Sequence, residues 1–404
     1  MSMIINPGTR SVSMTNSNTG TAHQVCNRCI MDEAVAGISF DQNGICNFCT
    51  LHDKLEQEYP NDERGERIIA DTVKRIRRAG AGKKYDCVVG VSGGRDSMYT
   101  LYRAKKVWGL RPLAVHFNDG FGNPVGGKNM LSGSKSLEVE LRTITSDWRE
   151  SKDIRIAFLR SSSLNLGIAT DLGIASALYG VANKEDIKYI LIGNSFRTEG
   201  IVPLVWSYFD GYYLKKIHQK YGSTPLRPWK PDDPGFNLDL PQMFYYSIIK
   251  RIRTFTPLYY SDYVRSEVDQ LLSDKLGWKN TGAHYYDDLY QSLMFYYERV
   301  KFNVDRRKPN YSALIRSGQM SREEALERLE KPYVIEDPKV IDLCIKRLGL
   351  TQKDFEQFLS MPPKYFRDFP NRYSLMSLAR PAIKLACLLQ FIPRVAYDKY
   401  FNCG

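Results

Sequence analysis

The sequence predicts an α/β protein with a mainly parallel sheet, a small cysteine module before the sheet and a helical region after it. Short apolar runs alternate with helical patterns over residues 85–205, which is typical of a parallel sheet covered by helices. Two Cys-x-x-Cys pairs precede this region, within residues 23–52. Residues 206–370 are rich in aromatic side chains and mostly helical in pattern, and we interpret them as a region that contacts substrate or a partner.

The composition excludes several classes of protein. The chain has 404 residues, of which 43% are hydrophobic and 25% charged, so it is neither a fibrous repeat protein nor wholly disordered. No apolar run approaches the roughly 20 residues of a membrane-spanning helix, and the N-terminus lacks the pattern of a secretory signal. We therefore expect a cytoplasmic protein.

The net charge of +12 suits nucleic acid, anionic lipid or phosphorylated small molecules. Residues 363–404 hold seven Lys and Arg against two Asp and Glu, so much of the excess lies in the tail. The rest of the positive charge is distributed along the other residues without forming a cluster. We therefore do not expect a nucleic-acid partner. The basic, apolar tail over residues 371–404 fits a peripheral contact with an anionic membrane, docking of a partner protein, or packing on its own chain.

The N-terminal residues predict a metal module. Residues 1–22 are rich in Ser, Thr and Asn and are expected to be disordered. The pattern C-x2-C-x16-C-x2-C follows, and two such pairs complete a tetrahedral thiolate shell that is typical of structural Zn²⁺. Free or disulfide-bonded cysteines and an iron–sulfur cluster stay open as alternatives. The four candidate ligands are Cys26, Cys29, Cys46 and Cys49.

The next segments predict the layers of the sheet. A hairpin turn is expected at Asn43-Gly44, inside the module. Residues 53–84 predict a linking helix, because apolar residues recur there at helical spacing. Strands are predicted over residues 87–91, 112–117, 137–144 and 189–192, and two helices over 321–360. Since ligands bind beyond the carboxyl ends of parallel strands, the loops of interest are 92–97, 118–128 and 194–200.

The loop after the first strand carries the strongest chemical signal. It reads Ser92-Gly93-Gly94-Arg95-Asp96-Ser97, and a helix begins at about Asp96. Glycines let backbone amides approach an anion, and the helix N-terminus adds partial positive charge. The segment therefore predicts a phosphate-binding loop, although a tight turn capped by Ser and Asp is the plainer interpretation. It lacks the lysine of the common G-x-x-x-x-G-K-[ST] loop.

This string resembles the PP-loop of ATP pyrophosphatases, which transfer AMP to a substrate oxygen and release pyrophosphate. The resemblance implies an adenine nucleotide alpha hydrolase-like fold for residues 85–205. It also implies that Ser92, Gly93, Gly94 and Ser97 hold the pyrophosphate of ATP, and that Asp96 helps to place Mg²⁺. Arg95 occupies the variable position of the loop, where it contacts phosphate or faces solvent.

Further segments resemble the N-acetyl sugar amidotransferase family of bacterial surface-polysaccharide synthesis, including lipopolysaccharide and O-antigen. The matching segments follow the family's order and lie at residues 26–32, 40–49, 85–97, 110–117, 193–194, 198–200 and 317–326. The resemblance implies that ATP adenylates the oxygen of an acetamido group on a nucleotide-linked sugar. Ammonia then displaces AMP and leaves an acetamidino group. A separate glutaminase, with an ammonia-channelling cyclase-like subunit, would supply the ammonia.

The same resemblance assigns the remaining candidate residues. His116, Phe117 and Asp119 would contact the nucleotide, with Asp119 at magnesium or ribose, although the family's acidic residue stands one position earlier. Asn194 and Glu199 would contact the activated amide or the sugar, and Asp171 the substrate or Mg²⁺. The plainer interpretations are turn and cap chemistry for the last three and a packed strand end for His116.

Two alternatives to this function stay open, and so does one charged segment. A PP-loop tRNA-modifying enzyme would also combine a zinc module with a basic surface, although the absence of cysteines between Cys87 and Cys344 disfavours thiolation. A non-catalytic nucleotide-binding subunit is the other alternative. Residues 305–308, Asp-Arg-Arg-Lys, fit a clamp on phosphates or a solvated charged loop equally well.

Overall fold

A computed structural model describes residues 24–280, 288–388, 397, 400 and 401. The expectation of disorder for residues 1–22 lies outside these residues. The strands are β1 Cys87–Gly90, β2 Pro112–Asn118, β3 Leu141–Thr145, β4 Tyr189–Leu191 and β5 Arg253–Phe255. The helices are α1 Asn47–Glu58, α2 Glu63–Ala79, α3 Arg95–Tyr102, α4 Pro124–Ser136, α5 Trp148–Ser161, α6 Ile168–Lys184, α7 Phe196–Glu199, α8 Gly211–Tyr221, α9 Leu240–Phe244, α10 Arg265–Leu276, α11 Tyr290–Phe302, α12 Arg307–Arg316, α13 Arg322–Glu330, α14 Pro338–Arg347, α15 Gln352–Ser360, α16 Tyr373–Leu378 and α17 Arg380–Leu388.

The five strands form one parallel sheet in the order β3-β2-β1-β4-β5, which confirms the predicted fold class. β1 lies at the centre, and the strand order reverses direction beside it. In such sheets the loops after the two strands at the reversal open into a crevice that binds ligands. Here those loops follow β1 and β4. The first is residues 92–97, which we call the phosphate loop after its predicted role, and the second is residues 194–200.

Helices cover both faces of the sheet because the central strand is apolar on both sides. Val88 packs into a core with α5, α6 and α8, whereas Val89 packs into a second core with α2, α3 and α10. Both valines are fully buried. Alternate residues of a strand point to opposite faces, and burial of each valine contributes about 1.5–3 kcal/mol.

Several elements differ in extent from the sequence prediction. The single linking helix predicted over 53–84 is two helices, α1 and α2, because Pro60 lies between them and Asp62 caps α2. Residues 321–360 hold three helices rather than two. The third strand begins later than predicted, at Leu141, because Leu137 still caps the C-terminus of α4. β5 was not predicted, because its three residues contain no apolar run.

The cysteine module packs between the loops that follow β4 and β5 and the C-terminal helices α12 and α13. Its predicted turn is confirmed, with Gly44 at φ +70° between the paired residues Phe40 and Cys46. Apolar residues of the module and α1 share a core with α7 and with Trp206 and Tyr259. The C-terminal helices therefore contact the N-terminal cysteine module, and both lie beside the loop that follows β4.

The described part of the tail contacts its own chain. Tyr400 donates its hydroxyl hydrogen bond to the carbonyl of Phe209, and Arg380 Nε lies 3.0 Å from the Tyr397 hydroxyl. Leu375 and Leu378 on α16 remain exposed. No helix in the described part of the chain combines the length and the hydrophobicity of a membrane-spanning segment.

A lysine on α11 is expected to make the folding stability depend on pH. Lys301 donates to the carbonyl of Phe358, and burial lowers the pKa of its ammonium group to about 8. In the unfolded chain the pKa of lysine is about 10.4. Between about pH 10.4 and pH 8 the unfolded state therefore binds the proton more tightly, so the folded state becomes less stable as the pH falls through this range. Below about pH 8 this contribution no longer changes with pH. Lys301→Met should therefore be more stable than the wild type at pH 7 by about 1 kcal/mol, a figure reduced for partial exposure, and this gain should shrink at pH 10.

Urea unfolding at the two pH values measures the Lys301 effect. Lys339→Met, at an exposed lysine of α14, controls for the exchange of lysine for methionine itself. A stability gain for Lys301→Met that is equal at pH 7 and pH 10 would contradict the assignment of the effect to a buried ammonium group.

Candidate functional site

The phosphate loop leaves the carboxyl end of β1 and enters the N-terminus of α3. Gly94 is the residue before the helix and has extended backbone angles. The hydroxyls of Ser92 and Ser97 are 3.2 Å apart, and the amide of Ser92 donates to Ser97 Oγ at 3.1 Å. Gly94 N donates to Ser92 Oγ at 3.3 Å. Both serine hydroxyls therefore lie at the positive end of α3, as a phosphate-binding loop requires.

Residues outside the motif hold this loop in place. Gly93 has φ +85°, and a Cβ there would lie 2.1 Å from the carbonyl oxygen of Gly126. The Gly93 carbonyl accepts hydrogen bonds from Trp278 Nε1 at 2.9 Å and Asn129 Nδ2 at 3.1 Å. Sequence analysis missed Trp278 and Asn129, because they act through one backbone carbonyl and leave no pattern in the chain.

The position of Gly93 makes a strong prediction with a matched control. Gly93→Ala should destabilise the protein by about 2–5 kcal/mol, because left-handed backbone and a clash with Gly126 add together. Gly82→Ala also has positive φ but meets nothing within 4 Å, so it should cost only about 1 kcal/mol. Chemical denaturation of both variants measures the difference. Equal losses would show that Gly93 is not packed against α4.

Asp96 and Glu199 form a carboxyl pair where the loops after β1 and β4 meet. Asp96 is buried in the first turn of α3 and accepts a hydrogen bond from the hydroxyl of Tyr263. Burial and then the charge of Asp96 raise the pKa of Glu199 well above its usual range. The approach is close because residue 193 is glycine, whose Cβ would lie 2.4 Å from the backbone oxygen of Asp96.

Two neighbouring carboxyl groups have two chemical uses. They share one proton, or they bind a divalent cation that neutralises both charges. Mg²⁺ prefers a few carboxylate ligands together with phosphate oxygens, so Asp96 and Glu199 beside the phosphate loop fit that ion. The predicted role of Asp96 in placing magnesium thus has suitable donors around it, with Glu199 as a second oxygen ligand.

A cavity of about 360 Å³, the central cavity, opens beside Glu199. It brings together three of the predicted catalytic residues, Asp171 of α6, Asn194 of the loop after β4, and Glu199 at the end of α7. Asp171 lies in the first turn of α6, and Gly167 rather than Asp171 precedes that helix as its cap residue. Aromatic side chains form much of the wall, namely Phe196, Trp206, Tyr259, Tyr290 and Phe295.

Asp119 lies in a buried polar cluster below this cavity. Its carboxylate accepts from the guanidinium of Arg155, which is fully buried, and from Thr170 Oγ1 at 2.9 Å. Asp288 completes the cluster and also lines the central cavity; burial and then Asp119 raise the pKa of Asp288 well above its usual range. Sequence analysis missed Arg155 and Asp288. The magnesium or ribose contact of Asp119 stays a prediction.

The other predicted nucleotide contacts are packed near the ends of strands. His116 Nδ1 lies 3.1 Å from the carbonyl oxygen of Val91, and burial lowers the pKa of the ring. The Phe117 ring lies 6.1 Å from that of Phe236, in edge-to-face contact. Their roles at the nucleotide stay predictions. Arg95 pairs with Asp269 of α10, with Nη2 2.7 Å from Oδ2, instead of extending into solvent.

The four cysteines of the N-terminal module form a cluster that could hold a metal ion. Their sulfur atoms lie within 4.8 Å of one another, and all four residues are fully buried. Such a set suits zinc or an iron–sulfur cluster, and four thiolates around a zinc ion would leave no open coordination position. Arg316 at the end of α12 donates to Cys49 Sγ at 3.2 Å and Cys29 Sγ at 3.3 Å. Sequence analysis missed Arg316, which lies 267 residues from Cys49.

The charged segment 305–308 is engaged within the chain. Arg306 Nε lies 2.7 Å from the buried Glu298, Arg307 pairs with Asp305, and Lys308 pairs with Asp32 of the cysteine module. These ion pairs favour a structural role for the segment over a clamp on phosphates.

The C-terminal part of the chain is similar to a described protein family. Residues 279–380 match the family described as LPS biosynthesis protein WbpG-like, C-terminal domain. An uncharacterised protein of Methanocaldococcus jannaschii is 24% identical over 319 residues, covering 78% of this chain and 94% of that protein.

Two solved structures are similar at low scores. The NH3-dependent NAD synthetase of Campylobacter jejuni has 16% identity, covers 74% of this chain and 98% of its own, and gives a TM-score of 0.30. The U34-tRNA thiolase NcsA of Methanococcus maripaludis, solved with its 4Fe–4S cluster, has 15% identity, covers 71% and 91%, and gives a TM-score of 0.30. At such scores neither carries an argument about this protein.

Proposed function

We propose that this protein is a cytoplasmic, ATP-dependent amidotransferase of bacterial surface-polysaccharide synthesis. It converts an acetamido group of a nucleotide-linked sugar into an acetamidino group. The observation that carries the proposal is the position of the Asp96–Glu199 pair, which lies between the phosphate loop and the central cavity. The match of residues 279–380 to a domain of lipopolysaccharide biosynthesis supports the sugar pathway.

The chemistry follows from the poor leaving ability of an amide oxygen. The amide oxygen attacks the α-phosphorus of ATP, the bond from that phosphorus to pyrophosphate breaks, and the oxygen becomes part of a phosphate ester. Ammonia then adds to the activated carbon, loses a proton, and AMP leaves with the oxygen. The departing pyrophosphate would be held by Ser92, Ser97 and the N-terminus of α3. Negative charge develops on this group during the reaction, so preorganised positive charge at that place lowers the barrier most.

The central cavity suits the acceptor end of this reaction. Its aromatic walls match the apolar faces of a sugar, and the side-chain amide of Asn194 supplies both a donor and an acceptor for an acetamido group. Bound Mg²⁺ would neutralise charge on the phosphates, with Asp96 and Glu199 as its candidate ligands. The cysteine module would hold Zn²⁺ and position α1, whose Leu51 and Leu55 line the cavity.

Ammonia would come from a separate glutaminase with a cyclase-like channelling subunit. A glutaminase of the cysteine type needs a reactive thiolate, and two cysteines outside the metal module are poor candidates. Burial raises the pKa of the Cys87 thiol well above its usual range, and burial, followed by Asp288, raises that of Cys344 to about 12.

Turnover with ammonium as the nitrogen donor tests the proposal. The protein is incubated with Mg-ATP and a panel of UDP- and CMP-linked acetamido sugars, and nucleotide and sugar products are separated and weighed. The expected result is AMP and pyrophosphate, with a sugar product one mass unit lighter because NH replaces oxygen. AMP release that needs tRNA instead of a sugar would favour an RNA-modifying enzyme, and absence of ATP cleavage would favour a nucleotide-binding subunit.

A further inference from the structure

A second and larger cavity, of about 890 Å³, lies on the other side of α7 from the central cavity. We call it the arginine cavity, because five arginines are among its lining residues: Arg95, Arg197, Arg265, Arg316 and Arg328. Its walls come from the N-terminus of α3, residues 262–269, and the turn between α12 and α13. Apart from Arg95, it contains none of the predicted site residues.

Arg316 is the most unusual group in this wall. It is 8% exposed, and its Nε and Nη2 atoms donate to the sulfur atoms of Cys49 and Cys29. These two nitrogens form one edge of the planar guanidinium group, so Nη1 lies on the opposite side from the cysteines. Among the described residues, the buried Nη1 atom has no hydrogen-bond partner. An unsatisfied buried donor is costly, and a cationic one is more so, which points to an anionic ligand.

Arg95 repeats this arrangement at the phosphate loop. Its Nε and Nη2 atoms are both taken by the carboxylate of Asp269, and its side chain is 11% exposed. The Nη1 edge of Arg95 makes no hydrogen bond to a described residue. Two arginines of the same cavity are therefore oriented by fixed partners on one edge and keep N–H donors on the other, which is the geometry that binds phosphate oxygens.

Two of the other three arginines of the cavity form ion pairs within the protein. Arg197 pairs with Glu56, with Nη2 2.7 Å from Oε2, and Arg328 pairs with Glu324 at 2.6 Å. These ion pairs weaken the general electrostatic attraction of the cavity for polyanions. The selectivity then rests on the fixed donors of Arg95 and Arg316, which suit a compact group with several oxygens.

We propose that the arginine cavity binds the phosphate group of a nucleotide, between Arg316 and the loop residue Arg95. The phosphate belongs either to the carrier nucleotide of the acceptor sugar or to ATP. Assignment to the carrier rests on the proposed function, because only an acceptor linked to a nucleotide brings such a phosphate. The phosphate-binding property itself does not depend on it.

Equilibrium binding of UDP, CMP, ATP and inorganic pyrophosphate to the full-length, metal-loaded protein tests the proposal. Met320 lines the cavity, so Met320→Glu adds a negative charge there while both arginines keep their partners. Met320→Gln is the matched neutral control. We expect Met320→Glu to weaken binding of at least one of these ligands tenfold or more and Met320→Gln to change it less than twofold. A second variant, Arg316→Gln, should weaken binding of the same ligand in protein that keeps its metal content.

Competition separates the two sources of phosphate. UDP or CMP binding that is sensitive to Met320→Glu and persists in saturating ATP analogue identifies the carrier nucleotide. Sensitivity confined to ATP and pyrophosphate identifies the phosphates of ATP. Equal affinities for Met320→Glu and Met320→Gln, or no measurable binding of any of the four ligands, would overturn the proposal. Since binding needs no turnover, failure of the amidotransferase reaction would leave a positive binding result standing.

Discussion

Asp96→Asn should abolish most sugar-dependent AMP release, by about 10²- to 10³-fold, without loss of stability. The substitution removes the anionic group that we propose as a ligand for magnesium beside the phosphate loop. It also removes the charge that, after burial, raises the pKa of Glu199, so the folded state gives up an unfavourable interaction. Activity and stability should therefore move in opposite directions, which a merely structural carboxylate would not do. Initial rates of AMP release and thermal unfolding measure the two effects.

Asp153→Asn is the matched control for the loss of a buried carboxylate. Asp153 accepts hydrogen bonds at 2.8 Å from His218 Nε2 and from the amides of Ser223 and Thr224, away from the phosphate loop. Its substitution should lower stability by about 1–3 kcal/mol and leave the activity of the folded fraction intact. Activity of Asp96→Asn within tenfold of the wild type would contradict a role for Asp96 in the reaction.

Loss of the metal ion that we propose for the four cysteines should have the largest effect on stability. Cys46→Ser, or a strong chelator, should release the ion and destabilise the protein by on the order of 5 kcal/mol, because metal binding supplies folding free energy to a small module. The loss should reach the sheet, since Arg316 contacts the cysteines and Glu56 of α1 pairs with Arg197 of α7. Metal analysis and thermal unfolding of the same samples measure this coupling.

The control for the metal experiment is Cys344→Ala. Cys344 is also fully buried, but it lies on α14, outside the cluster. It should keep the metal and lose only about 1 kcal/mol, the cost of a small cavity. Fewer than about 0.5 zinc ions per wild-type chain, after purification without chelator, would argue against zinc as the bound metal. Iron and sulfide in its place would identify the alternative cluster.

Local patterns in the sequence were sufficient for four of the five strands, for the turn at Ser92-Gly93-Gly94 and for the clustering of the four cysteines. Val88 and Val89 alternate between two cores because a strand has a period of two, and that period can be read directly from the chain. The Ser92-Gly93-Gly94 turn and the spacing of the four cysteines are likewise properties of short segments. Strand order was not readable, because β1 and β4 are adjacent in the sheet but about 100 residues apart in the chain.

The chain by itself therefore determined which chemical groups are present and which local structures carry them. Only the tertiary structure decided what those groups face. Tyr263 reaches Asp96 from 167 residues away, Trp278 reaches Gly93 from 185, and Arg316 reaches Cys49 from 267. Each of these contacts joins one side chain to one distant atom. Such a pairing leaves no periodicity or spacing in the sequence, because it arises from how the layers pack and not from how neighbouring residues fold.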